Sequence, residues 1–172
     1  MTTMNKLKIQ ILPLLFVTLT CCDSSTIDKD KRDILVKKYD LMNFGKSQQP
    51  TLMTIDEFFD GNNDEGSIAP NLDKKPKVSE YYETLKKLGK SPKVVAAFVK
   101  INDVMLYEDG KLNDNEWFYS DMIYFVGDIT KEEVKEATRT LDPDEVGYDD
   151  EGVINSLNER FKNKKVVYVW WD

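Results

Sequence analysis

Three apolar runs constrain this chain more than any other feature: Val94–Ile101 (VVAAFVKI), Trp117–Val126 (WFYSDMIYFV) and Val166–Trp171 (VVYVWW). Val94–Ile101 is apolar on both alternating faces, the pattern of a buried interior strand rather than a half-exposed one. The run can continue past Asn102-Asp103 to Tyr107 before Asp109-Gly110 turns the chain. Trp117–Val126 reads as the second long strand. Asp121 interrupts its apolar face and needs a partner or water, because an unpaired buried carboxyl is expensive. Asn163-Lys164-Lys165 then turns the chain into the last strand. Side chains alternate along a strand, so Trp170 and Trp171 point to opposite faces. One belongs to the core, and the other is either covered by a helix or exposed as a binding hot spot.

The segments between these runs carry helix signals. Thr130 and Glu133 form a capping box ahead of a helix ending near Leu141, with Val134, Ala137 and Leu141 as its inward stripe. Ser79–Leu88 places Tyr81, Tyr82, Leu85 and Leu88 on one face. Gly89 closes this helix and Pro92 stands beyond it. Thr54 and Glu57 cap a short helix bearing Ile55, Phe58 and Phe59, preceded by a short strand at Thr51–Met53. A last helix, Val153–Phe161, points Ile154, Leu157 and Phe161 inward. Residues 31–42 have near-helical apolar spacing and are broken by the 45–50 run GKSQQP. The order predicts an α+β domain: an antiparallel three- to four-stranded sheet with helices on one face. Counting Thr51–Met53, it is close to the ferredoxin-like split βαβ order.

Lys6 and Lys8 precede a 12-residue, mostly apolar run from Ile9 to Thr20. It is too short to span a bilayer, which takes about 20 apolar residues, and has the length and flanks of a secretory signal. The run ends in Leu19-Thr20-Cys21-Cys22 and resembles the lipobox of bacterial lipoproteins. The resemblance implies cleavage before Cys22 and acylation of its thiol. Leu19 takes the lipobox leucine position and Cys21 the place usually held by glycine or alanine. The other register acylates Cys21. The expected organisation is a signal peptide at 1–21, an anchor and tether at 22–49, and one globular domain at 50–172. The chain is then held to the cell membrane by lipid on its extracytoplasmic side. Several acyl chains anchor stably where one binds only marginally.

Loss of residues 1–21 removes two lysines and no acid, so the net charge of −7 becomes −9. Such a chain is not drawn to nucleic acid or anionic headgroups by net charge, whereas a basic protein is attracted. There is no histidine, and both cysteines lie at the anchor. The mature domain therefore has no disulfide, no Cys/His zinc site and no histidine-activated nucleophile. No phosphate loop or dinucleotide fingerprint is present, and no cofactor is implied.

Two acidic clusters remain. Asp60, Asn62 and Asp64 alternate as calcium-loop ligands do, but Glu65 and Asn71 stand where an EF-hand needs glycine and glutamate. A solvated turn explains them better. Asp142, Asp144, Glu145, Asp149, Asp150 and Glu151 crowd an expected loop; like charges this close favour a cationic partner. Together with Trp171 they are the candidate partner-binding residues, and plain solvation of the loop is the competing reading. With 31 acids, a carboxylate pair for hydrolysis arises in many folds by chance.

The segments FFDGNNDEGSI (58–68), LDPDEVG (141–147) and VVYVWWD (166–172) resemble those of a family of small acidic bacterial proteins of unassigned function. The resemblance covers residues 50–172 and transfers no site residues. In size, charge and lack of catalytic groups the domain is similar in type to immunity proteins that neutralise toxins of rival bacteria. The expectation is a non-enzymatic, lipid-anchored immunity or inhibitor protein. An accessory or structural envelope lipoprotein and a carboxylate-dependent hydrolase are the alternatives.

Overall fold

The computed structural model describes residues 27–47, 49–106, 110–150, 152, 154 and 159–172. Chain order is α1 (Lys29–Lys38), β1 (Thr51–Thr54), α2 (Ile55–Phe59), α3 (Val78–Gly89), β2 (Val94–Ile101), β3 (Met122–Gly127), α4 (Lys131–Thr138), β4 (Glu145–Tyr148) and β5 (Lys165–Trp170). The fold is α+β, as the apolar runs and caps require. Thr54 and Thr130 accept from the backbone N–H of Glu57 and Glu133, closing both capping boxes. These bonds satisfy donors the first helical turn leaves free.

The sheet has five strands rather than three or four, in the order β1-β2-β3-β5-β4. All four pairings are antiparallel. The ferredoxin-like order is therefore not formed, since a split βαβ unit needs a parallel crossover pair. Register explains the core. Met53 faces Val99, Val99 faces Ile123, Ile123 faces Val169 and Val169 faces Val146. The first four of these are fully buried in the main core with Phe58, Tyr81, Leu85 and Val134 from the helices.

The opposite face is not bare. Tyr124, Val126 and Val166 form a second cluster with Ile154 and Phe161, and the Phe161 ring meets Phe98 edge-on, centroids 5.9 Å apart. Helical cover is thus heavier on one face but not confined to it. Of the expected last helix, Leu157 and its neighbours at 155–158 lie outside the described residues; Glu159–Phe161 is a 3₁₀ turn.

Three expectations need correction. The packed chain does not begin near Pro50. Ile27, Leu35, Val36 and Leu41 are buried in the main core, and the buried Arg32 guanidinium donates to the carbonyls of Asn113 (2.5 Å) and Glu116 (3.1 Å). These carbonyls satisfy donors that would be costly to bury alone. The second long strand starts at Met122, not Trp117; before it, Tyr119 and Ser120 make only isolated bridges, to Asp103 and Ile68. Within α4, Ala137 is exposed and Thr138 is buried instead. The Thr138 hydroxyl donates to the Val134 carbonyl at 2.8 Å, which satisfies it locally.

Candidate functional site

The acidic stretch after α4 is a strand, not a loop. Asp142 turns the chain with a left-handed backbone, φ +50°. β4 then pairs along β5 as one edge of the sheet, with Glu145 opposite Trp170 and Gly147 opposite Tyr168. The Asp144 N–H donates to the Trp170 carbonyl and the Asp149 N–H to the Val166 carbonyl. The Tyr168 ring lies across Gly147: a Cβ there would sit 2.5 Å from the phenol, so any larger residue would have to push the ring aside. A glycine inside a strand often marks such a close approach.

This edge carries Asp142, Asp144, Glu145, Asp149 and Asp150 together. Asp142, Asp144, Glu145 and Asp150 are exposed and Asp149 is half-buried. Three of them hold the edge in place. Glu145 accepts from the Tyr168 hydroxyl (2.5 Å), Asp144 from the Asp172 N–H (2.8 Å) and Asp149 from the Ile154 N–H (3.1 Å). The hydrogen bond to Glu145 pushes the Tyr168 phenol up to about 12, with burial and the charges of Asp150 and Asp149 adding to it. Asp142 and Asp150 are free of side-chain bonds among the described residues.

Several acids elsewhere in the fold are paired. Asp56 pairs with Lys86, Asp60 with Lys31, Asp114 with Lys29, Glu57 with Lys38, Asp128 with Lys164 and Glu133 with Lys93. Among the described residues, none of the five acids on the β4 edge forms an ion pair. Asp30, Glu80, Glu83 and Glu132 on the helices are unpaired as well among the described residues, so what sets the β4 edge apart is that five such acids lie together on it.

Trp171 does not belong to this surface. It is fully buried, its ring meets Tyr81 edge-on at 5.6 Å, and its indole N–H donates to the Leu141 carbonyl at 2.9 Å. Trp170 is the half-exposed one, on the second face of the sheet. The residue missed by sequence reasoning is Tyr168, which organises the edge through Glu145 and Gly147. The glycine in EVGY was the available signal. Glu151, Cys21 and Cys22 lie outside the described residues.

The Asp60–Asp64 turn is a structural knot. Buried Asn62 donates to the Ser67 hydroxyl (2.9 Å). Asp64 accepts from the N–H groups of Gly66 (2.8 Å) and Trp117 (2.9 Å). Its oxygens are committed to the backbone. Among the described residues, no group of three or more acids, cysteines or histidines is placed to hold a metal ion.

Asp121 is half-buried at the start of β3. Burial raises its carboxyl above the usual carboxylate range, against the pull of Lys100, Tyr119 and Trp170. One of its oxygens accepts a long bond from the Tyr119 hydroxyl, 3.4 Å, and the other is buried without a partner. A cleft of about 670 Å³ lined by Tyr39, Phe44, Lys46, Lys100 and Asn102 opens widely to solvent.

Among the described residues no helix is long and apolar enough to cross a membrane. No curated protein and no solved structure matches the chain. A family model does match, over residues 30–168, which runs from α1 into β5. The chain belongs to the uncharacterized protein YfbO family.

Proposed function

We propose that this is a lipid-anchored envelope protein that acts by binding. In this reading it is an immunity or inhibitor protein whose β4 edge masks a basic, envelope-acting toxin or effector. The observation that carries the reading is the gathering of acids on one sheet edge. Asp142, Asp144, Glu145, Asp149 and Asp150 lie together there without an ion pair among the described residues, whereas Asp56, Glu57, Asp60 and Glu133 each meet a lysine. Keeping like charges together on a surface favours a partner of opposite charge. The lipobox-like segment supplies the address, with Cys22, or Cys21 in the other register, as the acylated residue.

The test separates edge chemistry from folding. Asp142→Asn with Asp150→Lys changes the two acids that make no side-chain bond, and asparagine tolerates the left-handed backbone at 142. Asp149→Lys would also free the Ile154 N–H and Glu145→Lys would free Tyr168. The double variant should keep its unfolding midpoint. It should weaken capture of a basic envelope protein by at least about tenfold and flatten the salt dependence of binding. Capture that is unchanged in strength and salt response would remove the β4 edge as the contact surface.

A further inference from the structure

The face around the start of α1 has a feature that the binding edge does not explain. Met105 and Leu106 are exposed large apolar residues, at 54% and 41%, on the loop between β2 and β3. That loop is tied to α1. Leu106 bridges Leu112, the next residue, Asn113, accepts from Arg32 at 2.5 Å, and Asp114 pairs with Lys29 at 3.2 Å. The exposed pair therefore lies beside the point where the chain enters the fold, Ile27, which is itself buried in the core.

Covalent geometry limits where that point can be. Cys22 and Ile27 are five residues apart, so the link spans at most about 18 Å. A domain of this size is about 38 Å across. An acyl anchor at Cys22 cannot let the far side of the domain turn to the bilayer. We infer that the face formed by the start of α1 with Met105, Leu106 and residues 112–114 is apposed to the membrane that holds the anchor, with Met105 and Leu106 entering its interface. The inference rests on acylation at Cys22. Charge neither drives nor forbids it, because Lys29 and Lys31 alternate with Asp28, Asp30 and Asp114 around the same entry point. Apolar insertion beside a covalent anchor fits a second, weak membrane signal. Val95 provides the internal control. It is equally exposed, at 52%, but lies six residues back along β2 from Ile101, about 20 Å away at strand rise.

The acylated protein in phosphatidylcholine vesicles tests this. Once the signal is cleaved, Cys22 is the only remaining cysteine and its thiol is acylated. Met105→Cys and Val95→Cys can then each be spin-labelled at one position. On vesicle binding, the label at 105 should lose access to an aqueous nickel chelate and gain access to oxygen; the label at 95 should change in neither. If 105 behaves like 95 while intact mass shows the acyl chains and the protein floats with vesicles, the membrane-facing assignment is wrong and the anchor stands. If the chain carries no acyl group and does not float, anchor and orientation fall together. Loss of a protein partner from the soluble Cys22→Ser chain on Met105→Asp with Leu106→Asp would also overturn the lipid assignment, making this a protein-docking face.

Discussion

At Gly127 the end of β3 passes so close to β2 that a Cβ would lie 2.0 Å from the backbone oxygen of Lys93, at φ +152°. The same oxygen accepts from the Asp128 N–H at 2.8 Å. Neither partner is a side chain that can swing aside. Gly127→Ala should therefore cost about 3 kcal/mol of stability. Gly89→Ala, where the new Cβ meets only the Ala97 methyl at 3.6 Å, should stay within about 1 kcal/mol of the parent. Urea midpoints of the pair measure the difference, and equal midpoints would show that β2 and β3 can part at this position. Trp171 and Arg32 make the companion point. Each is a large side chain whose polar atoms reach backbone carbonyls inside the fold, so neither is available to a partner.

At the scale of elements, α1 decides where the domain begins. Residues 45–50 read as a break, and the helix before them reads as part of a tether. The helix nevertheless presents Arg32, Leu35 and Val36 inward and leaves Ile34 64% exposed. Apolar spacing gave the right element but did not distinguish Leu35, which is buried, from Ile34, which is not. A chain beginning at Pro50 loses the burial of Ile27, Leu35, Val36 and Leu41. At about 1.5–3 kcal/mol each, that approaches the whole stability of an ordinary domain. It should show no cooperative thermal transition, whereas a chain beginning at Thr26 should melt cooperatively. β4 was missed for a related reason. Its inward-facing apolar content is little more than Val146, and its acids and glycine carry loop signals. Pairing with β5 makes it a strand.

For the whole molecule, acid stability is set by opposing carboxyls. Burial alone would raise Glu57, but hydrogen bonds from Lys38, Thr54 and Tyr39 outweigh it and hold it at about 2. A lowered folded value means stability that is complete above the ordinary value of 4.5 and is lost as pH falls toward 2. Asp121 has the opposite sign. Burial raises it, so its ionised form weighs against folding at neutral pH and the penalty fades as the carboxyl protonates. Glu57→Gln should lower stability at pH 7 by about 2 kcal/mol, and Asp121→Asn should raise it, with both differences shrinking in acid. Urea titrations at several pH values check this. A constant offset across the range would mean that neither carboxyl contributes through its charge.

Periods and caps are local, and so they could be read directly from the chain. The three long apolar runs, the Thr54 and Thr130 capping boxes and the amphipathic stripe of α3 follow from residues within a turn or a strand of one another. The lipobox-like segment and the missing histidines likewise need no fold to be seen. What only the tertiary structure decided was non-local. Asp60 meets Lys31, Glu133 meets Lys93, and Tyr168 closes over Gly147 through Glu145. No spacing rule reports which acid finds a lysine tens of residues away. Chain pairing alone decided which carboxylates meet a cation, because an ion pair depends on distance in space and the sequence records only distance along the chain.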